Sequence, residues 1–368
     1  MWCAGCVYAF RAPIVQEIDA SAARRHSCRL AAKIPVDEFR GKTYNKETGG
    51  HAARGGKGVA AVFGYRPDGR RVKHIDPIVA LTPYIMPMRC DAQVFLQQKL
   101  DYEVLARYIV QKGGEGYQFT FMELIIAAYV RAMSQVPEAN RFIMNKRLYA
   151  RTELTTSFAL LKDSQSPDIE ENTVKIHFDP SDTIYDVSAR IKMAIAAARK
   201  EEADNMTLRI AKVLLFPPLA NFVVSLVRLL DRYGIMPRFL VNASPFHTGL
   251  FITNMASIGM PSVNHHIYNF GTTSMFLSLG TVERTITQGP DGKAVRRRML
   301  PVGVVADERI CAGATFAKVF GVMFHHLAHP ELLEHEPAAV VFDEGNEYHI
   351  PKPGEQTVVA PAGETVTI

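Results

Sequence analysis

Cysteine is scarce in this chain of 368 residues: there are five, at positions 3, 6, 28, 90 and 311. An odd number at such wide spacing excludes the disulfide framework that staples small secreted domains. Cys3 and Cys6 form a CxxC, but a zinc or redox site of that type needs a second pair or a supporting pattern around it. Two reduced thiols are expected there. Long uninterrupted apolar runs are also lacking. The most apolar stretch, LRIAKVLLFPPLANFVVSLVRLL at 208–230, is split by Pro217-Pro218 and broken by Lys212 and Arg228. Neither half reaches the roughly 20 residues of a membrane span. It reads as two short apolar helices, expected to form a buried hairpin, with an oligomer contact or an interfacial membrane anchor as the alternatives.

Charge of one sign predominates only locally. The first 75 residues carry 14 Lys/Arg against six Asp/Glu, while the whole chain has 42 against 37. A basic arm of this kind can touch anionic lipid or nucleic acid, but it lacks the interleaved aromatics of a nucleic-acid module, so nucleic acid is not the expected partner. Glu17, Asp19, Asp37, Glu38 and Glu47 argue against an acid-poor transit peptide, and no continuous apolar segment marks a secretory leader. The expected location is cytoplasmic, with peripheral membrane association as the alternative. An apolar share of 48% with 21% charged residues suits a packed core.

Three regions follow from composition and periodicity. Residues 1–65 are rich in Ala, Gly and Arg and read as a basic, poorly ordered extension. Gly55-Gly56-Lys57-Gly58 lacks the spacing and the trailing Ser/Thr of a phosphate loop, so it reads as linker. Residues 66–335 carry the periodic segments, and 336–368 read as an acidic, loosely attached tail. Within the middle region, 94–100 reads as a strand and 102–112 as a helix ended by Gly113-Gly114. Thr120 and Glu123 form a capping box before a helix that runs to about residue 135, where Pro137 stops it. Residues 149–161 read as one interior strand, and 184–202 as a helix with Val187, Ile191 and Ile195 on one face. Residues 250–254 and 272–283 read as adjacent core strands. The turn at 288–292 joins a hairpin, and 315–327 reads as a helix ending before Pro330.

Several of these segments, in order, resemble the catalytic domain of the 2-oxo acid dehydrogenase acyltransferases, relatives of chloramphenicol acetyltransferase. They are the helix with its Pro137-Glu138-Ala139-Asn140 turn, the strand Phe251-Ile252-Thr253-Asn254-Met255-Ala256, the strand that follows it, and residues 304–333. The resemblance covers about residues 80–335. It implies an α/β two-layer sandwich, a mixed sheet with helices on one face, assembled as a homotrimer. It also implies transfer of an acyl group between coenzyme A and a thiol or hydroxyl acceptor such as a lipoyl group, in a channel between subunits. No lipoyl-bearing or peripheral-subunit-binding segment is visible, and no metal is implied. In that family a His is the general base, worth roughly 10²–10⁴-fold, and a strand hydroxyl donates to the oxyanion.

The motif is altered here. Where the family has His-Arg, two residues, then Asp-Gly, this chain reads Glu308-Arg309-Ile310-Cys311-Ala312-Gly313. Thr253 takes the hydroxyl position. Glu308 takes the base position, although a carboxylate is a weak base toward a thiol unless burial raises its basicity. Ala312 replaces the carboxylate that holds the loop, leaving that carboxylate's cationic partner unpaired. His265, His266 and His247 are the imidazoles that could replace the missing base. His325 and His329 share a helix face without a metal-protease pattern, so they read as helix-terminal charges. Three readings remain: an acyltransferase with a Glu-based or displaced base, a non-catalytic trimeric scaffold or ligand-binding pseudoenzyme of the same fold, and an added membrane function through residues 208–230 and the basic arm.

Overall fold

A computed structural model describes residues 66–161, 171–201, 217–288, 292–354, 357–359 and 365–367. The expected N-terminal extension, its CxxC and glycine cluster, and the 208–216 half of the apolar stretch lie outside the described residues.

In chain order the elements are β1 (Gly69–Arg71), α1 (Pro77–Ile85), β2 (Gln93–Asp101), α2 (Tyr102–Gly114), α3 (Phe121–Gln135), β3 (Phe142–Met144), β4 (Arg147–Arg151), β5 (Leu154–Leu161) and β6 (Glu171–Phe178). There follow α4 (Ile184–Glu201), α5 (Pro217–Tyr233), α6 (Arg238–Ala243), β7 (Leu250–Asn254), β8 (Met275–Leu279), β9 (Glu283–Gln288), β10 (Ala294–Asp307) and α7 (Gly313–Ala328). The main sheet runs β2-β10-β8-β7-β5-β6, with β9 on the first half of β10; β5, β7 and β8 are parallel and the other pairs antiparallel.

Side chains alternate across a pleated sheet, and here each face has its own core. Leu250, Ile252, Leu277, Val304 and Ala306 join α3, α4 and α7 in the large cluster, whereas Phe251, Phe276 and Val305 point the other way and pack with Ile267. Helices on one face of a mixed sheet are the expected arrangement. α3 is buried from Glu123 to Ser134, and a capping box fixes its start. Thr120 Oγ1 accepts from Glu123 N at 3.2 Å, and Glu123 Oε2 accepts from Thr120 N at 2.6 Å. The other carboxylate oxygen of Glu123 accepts from Ser188 at 3.0 Å, tying α3 to α4.

Three expectations need correction. Residues 149–161 are two strands, not one. β4 belongs to a small sheet ordered β1-β4-β3, and the chain crosses at Thr152-Glu153 into the main sheet. The 217–230 half of the apolar stretch is not buried: α5 exposes Leu219, Phe222, Leu226, Leu229 and Tyr233. Residues 336–354 are firmly attached rather than loose. Arg141 grips Asp343 with two hydrogen bonds of 2.6 Å, Asn346 is buried, and Ile350 N donates to Asp179 Oδ2 at 2.8 Å. Among the described residues, no helix is long and apolar enough to cross a membrane.

Candidate functional site

The segment that ends β10 is buried from Leu300 to Cys311 except at one residue, Glu308, which is exposed. The reason lies in Asp307. Its carboxylate accepts from Arg309 Nε at 2.8 Å and Nη2 at 2.7 Å, and from Arg309 N at 3.2 Å. Arg89 Nε approaches the same carboxylate at 3.4 Å. The guanidinium groups spend their other donors on carbonyls, Arg309 on Met86 and Pro87, Arg89 on Tyr268 and Gly271. Burial pushes Arg89 down from the usual guanidinium range while Asp307 opposes the shift. The turn therefore holds although Ala312 offers no carboxylate: Arg309 takes its anion from two residues upstream. Glu308 N donates to Ala92 O at 2.9 Å, and the side chain is left facing outward. Nothing within one chain buries the Glu308 carboxylate.

Thr253 sits near the end of β7, on the sheet face opposite the helices, like Phe251. It is half-buried, and its hydroxyl lies 3.8 Å from Met255 Sδ. Thr253 pairs with Ser278, which pairs with Gly303, five residues before Glu308. At strand spacings this puts Thr253 and Glu308 roughly 19 Å apart at the backbone. One chain does not bring them together.

The loop that joins β7 to β8 lies across this same face. Val263 N donates to Ser278 Oγ at 3.0 Å, and the fit is tight: a Cβ on Gly280 would stand 2.0 Å from Ser262 N, and one on Gly303 2.7 Å from Val263 O. The loop delivers His265 onto Phe276, ring on ring at 4.2 Å, with His266 stacked beyond it at 4.7 Å. His265 Nδ1 lies 2.7 Å from the His266 carbonyl. Only a protonated nitrogen can donate to a carbonyl, so the neutral ring leaves Nε2 as the acceptor. Phe276 pairs with Phe251 and lies diagonally from Thr253 on one face, so the His265 ring stacked on Phe276 covers the face that also carries Thr253. His266 is exposed.

His247 has a different position. It is buried, with Nδ1 2.8 Å from Ser244 Oγ and Nε2 3.2 Å from Asp231 Oδ2. Asp231 also accepts from Arg66 at 2.7 Å. Burial alone would raise the Asp231 carboxyl, but the bonds and charges of His247 and Arg66 outweigh it and hold it below the ordinary range. This candidate ties α5 to the body and faces no open surface.

No family model matches the chain. No curated protein sequence matches it either. Among solved structures, it is similar to a probable dihydrolipoamide acetyltransferase from Listeria monocytogenes, with 14% identity, a TM-score of 0.44, and coverage of 74% of this chain and 98% of that one. It is also similar to a dihydrolipoamide acetyltransferase from Azotobacter vinelandii, at 14% identity and a TM-score of 0.44, covering 72% of this chain and 94% of that one. A chloramphenicol acetyltransferase aligns at 10% identity and a TM-score of 0.45, over 70% of this chain and 99% of that one.

The sequence reading overlooked Asp307 and Arg89, which hold the Glu308 turn. The Asp-x-Arg spacing was the available signal, but it went unread beside the missing motif carboxylate. It also overlooked a cleft of about 360 Å³ beside Arg309, lined by Lys146, Arg228 and Arg232 among others. No short motif announces these cations, because they come from separate elements. Among the described residues there is no cluster of side chains suited to a metal ion.

Proposed function

We propose that the protein is an acyltransferase that moves an acyl group between coenzyme A and a thiol or hydroxyl acceptor, with its site completed between copies of the chain in a homotrimer. The observation that carries this reading is the shared sheet face of Thr253 and His265, the imidazole being oriented with Nε2 as a free acceptor. In the proposed step, His265 Nε2 takes the proton of the acceptor S–H or O–H, and the resulting nucleophile attacks the thioester carbon. The Thr253 hydroxyl donates to the oxyanion, an interaction whose loss costs about 3–4 kcal/mol. The C–S bond then breaks, and the departing CoA thiolate recovers the proton from the imidazolium. Glu308, held outward on its buried turn, is contributed by a second copy and balances the imidazolium charge. The same carboxylate acting as the base itself is the variant suggested by its place in the motif.

A second reading, a non-catalytic trimeric scaffold of the same fold, is favoured by one observation: Glu308 and Thr253 lie far apart within a chain, and Glu308 has no buried surroundings of its own. Release of free thiol from acetyl-CoA in the presence of a dithiol acceptor separates the two. The acyltransferase reading expects turnover that Thr253→Ala and His265→Ala each lower at least about a hundredfold. Turnover unchanged in both variants sinks the assigned mechanism, and its absence in the parent protein selects the scaffold.

A further inference from the structure

α5 is turned inside out relative to an ordinary surface helix. Leu219, Phe222, Leu226, Leu229 and Tyr233 recur at intervals of three and four, which puts them on one stripe, and all are exposed, Phe222 at 65%. Arg232, next round the helix from the stripe, and Arg228, farther round on the same side, line the cleft together with Lys146. Across the cleft, Lys146 Nζ lies 5.0 Å above the Tyr84 ring, at the end of α1, where Leu81, Ile85 and Met88 are also exposed. Arg232 donates to Asn145 at 3.2 Å, and none of these three cations has a carboxylate partner among the described residues. The one carboxylate lining the cleft, Asp231, is already committed to Arg66 and His247.

We propose that this surface seats the protein on an anionic phospholipid membrane: the α5 stripe enters the interfacial layer while Lys146, Arg228 and Arg232 hold headgroup phosphates at the mouth of the cleft. An amphipathic helix with cations flanking an exposed apolar stripe has the chemistry of an interfacial anchor. A soluble phosphate compound would satisfy the cations but leaves the stripe without purpose. A second copy docked by a two-fold axis would cover the stripe, but such a contact sets each patch against itself and opposes the arginines to one another, and a copy docked head to tail would have to bring carboxylates to all three cations. Charge complementarity therefore selects the lipid surface.

The test is flotation of the full chain with vesicles of phosphatidylcholine alone and of phosphatidylcholine mixed with phosphatidylglycerol. The protein is expected to float only with the mixed vesicles, and less so as salt is added. Arg228→Ala and Arg232→Ala are each expected to lower partitioning about five-fold. Phe222→Ser with Leu226→Ser is expected to lower it at every salt concentration; all four positions are exposed, and circular dichroism checks that the helix content is kept. Binding that is equal in all variants assigns the membrane contact to another part of the chain and overturns the proposal. So does complete displacement by inorganic phosphate, which marks a soluble-anion site. The proposal also fails if no vesicles are bound while Leu226→Glu dissociates an oligomer seen by sedimentation, since that identifies the occupant as a second copy.

Discussion

Replacing Asp307 by Asn tests what holds the Glu308 turn. The carboxylate is 1% exposed and serves two guanidinium groups that are themselves 3% and 4% exposed. Asparagine keeps the shape but leaves both cations buried without a counter-charge. Removing one member of a buried pair costs about 3–5 kcal/mol, and sharing between two cations puts this site toward the upper end. The carbonyl bonds from Met86, Pro87, Tyr268 and Gly271 remain and limit the damage. A loss of about 4 kcal/mol is therefore expected, a large part of the 5–15 kcal/mol that domains possess, with a fall of roughly 10 °C in Tm. Urea unfolding at fixed protein concentration measures it. Adding Arg309→Met to Asp307→Asn removes one stranded cation and should recover part of the loss. A single-variant loss below about 1 kcal/mol, or a double variant worse than the sum of its parts, refutes the claim that this pair holds the turn.

Three further outcomes are expected. Burial, with Arg151 nearby, pushes the Lys175 ammonium down to about 8. The unfolded chain then binds a proton that the folded one has released, so stability should rise with pH between about 8 and the ordinary lysine value of 10.5. Lys175→Met should flatten that slope in unfolding curves and add roughly 1–2 kcal/mol at pH 7, after allowing for the lost bond to Val241 O. Gly280→Ala forces a methyl against backbone at Ser262, so it should cost about 2–3 kcal/mol in denaturant unfolding and displace the loop that carries His265. Thr120→Ala removes the α3 cap and should cost about 1 kcal/mol, read as a lower urea midpoint.

Local signals were the most legible part of the sequence. The capping box at Thr120 and Glu123, the Gly-containing turn between β9 and β10, and the apolar spacing of Val187 and Ile191 each act within a few residues, and each element stands where it was expected. Long-range partners were hidden. The passage from β4 to β5 has no Gly or Pro to announce it: the chain bends at Thr152-Glu153 from one sheet to the next. The tail looked loose because its anchors are polar: Asp343 and Asn346 gain their worth only from Arg141 and the Ala150 carbonyl, about 200 residues away in sequence. His247 could not be told from a reactive imidazole without Asp231, sixteen positions earlier and on another element. At the motif, the missing carboxylate at Ala312 was read as an unpaired cation, whereas Asp307 supplies the charge.

The central claim, a site built from Thr253 of one copy and Glu308 of another, is tested most directly by mixing. Thr253→Ala and Glu308→Ala proteins are dissociated together, reassembled and assayed for thiol release from acetyl-CoA. Random assortment restores both side chains at about a quarter of the contacts between copies, so the mixture should regain a comparable fraction of parental activity. A mixture no more active than the average of its two components contradicts a shared site.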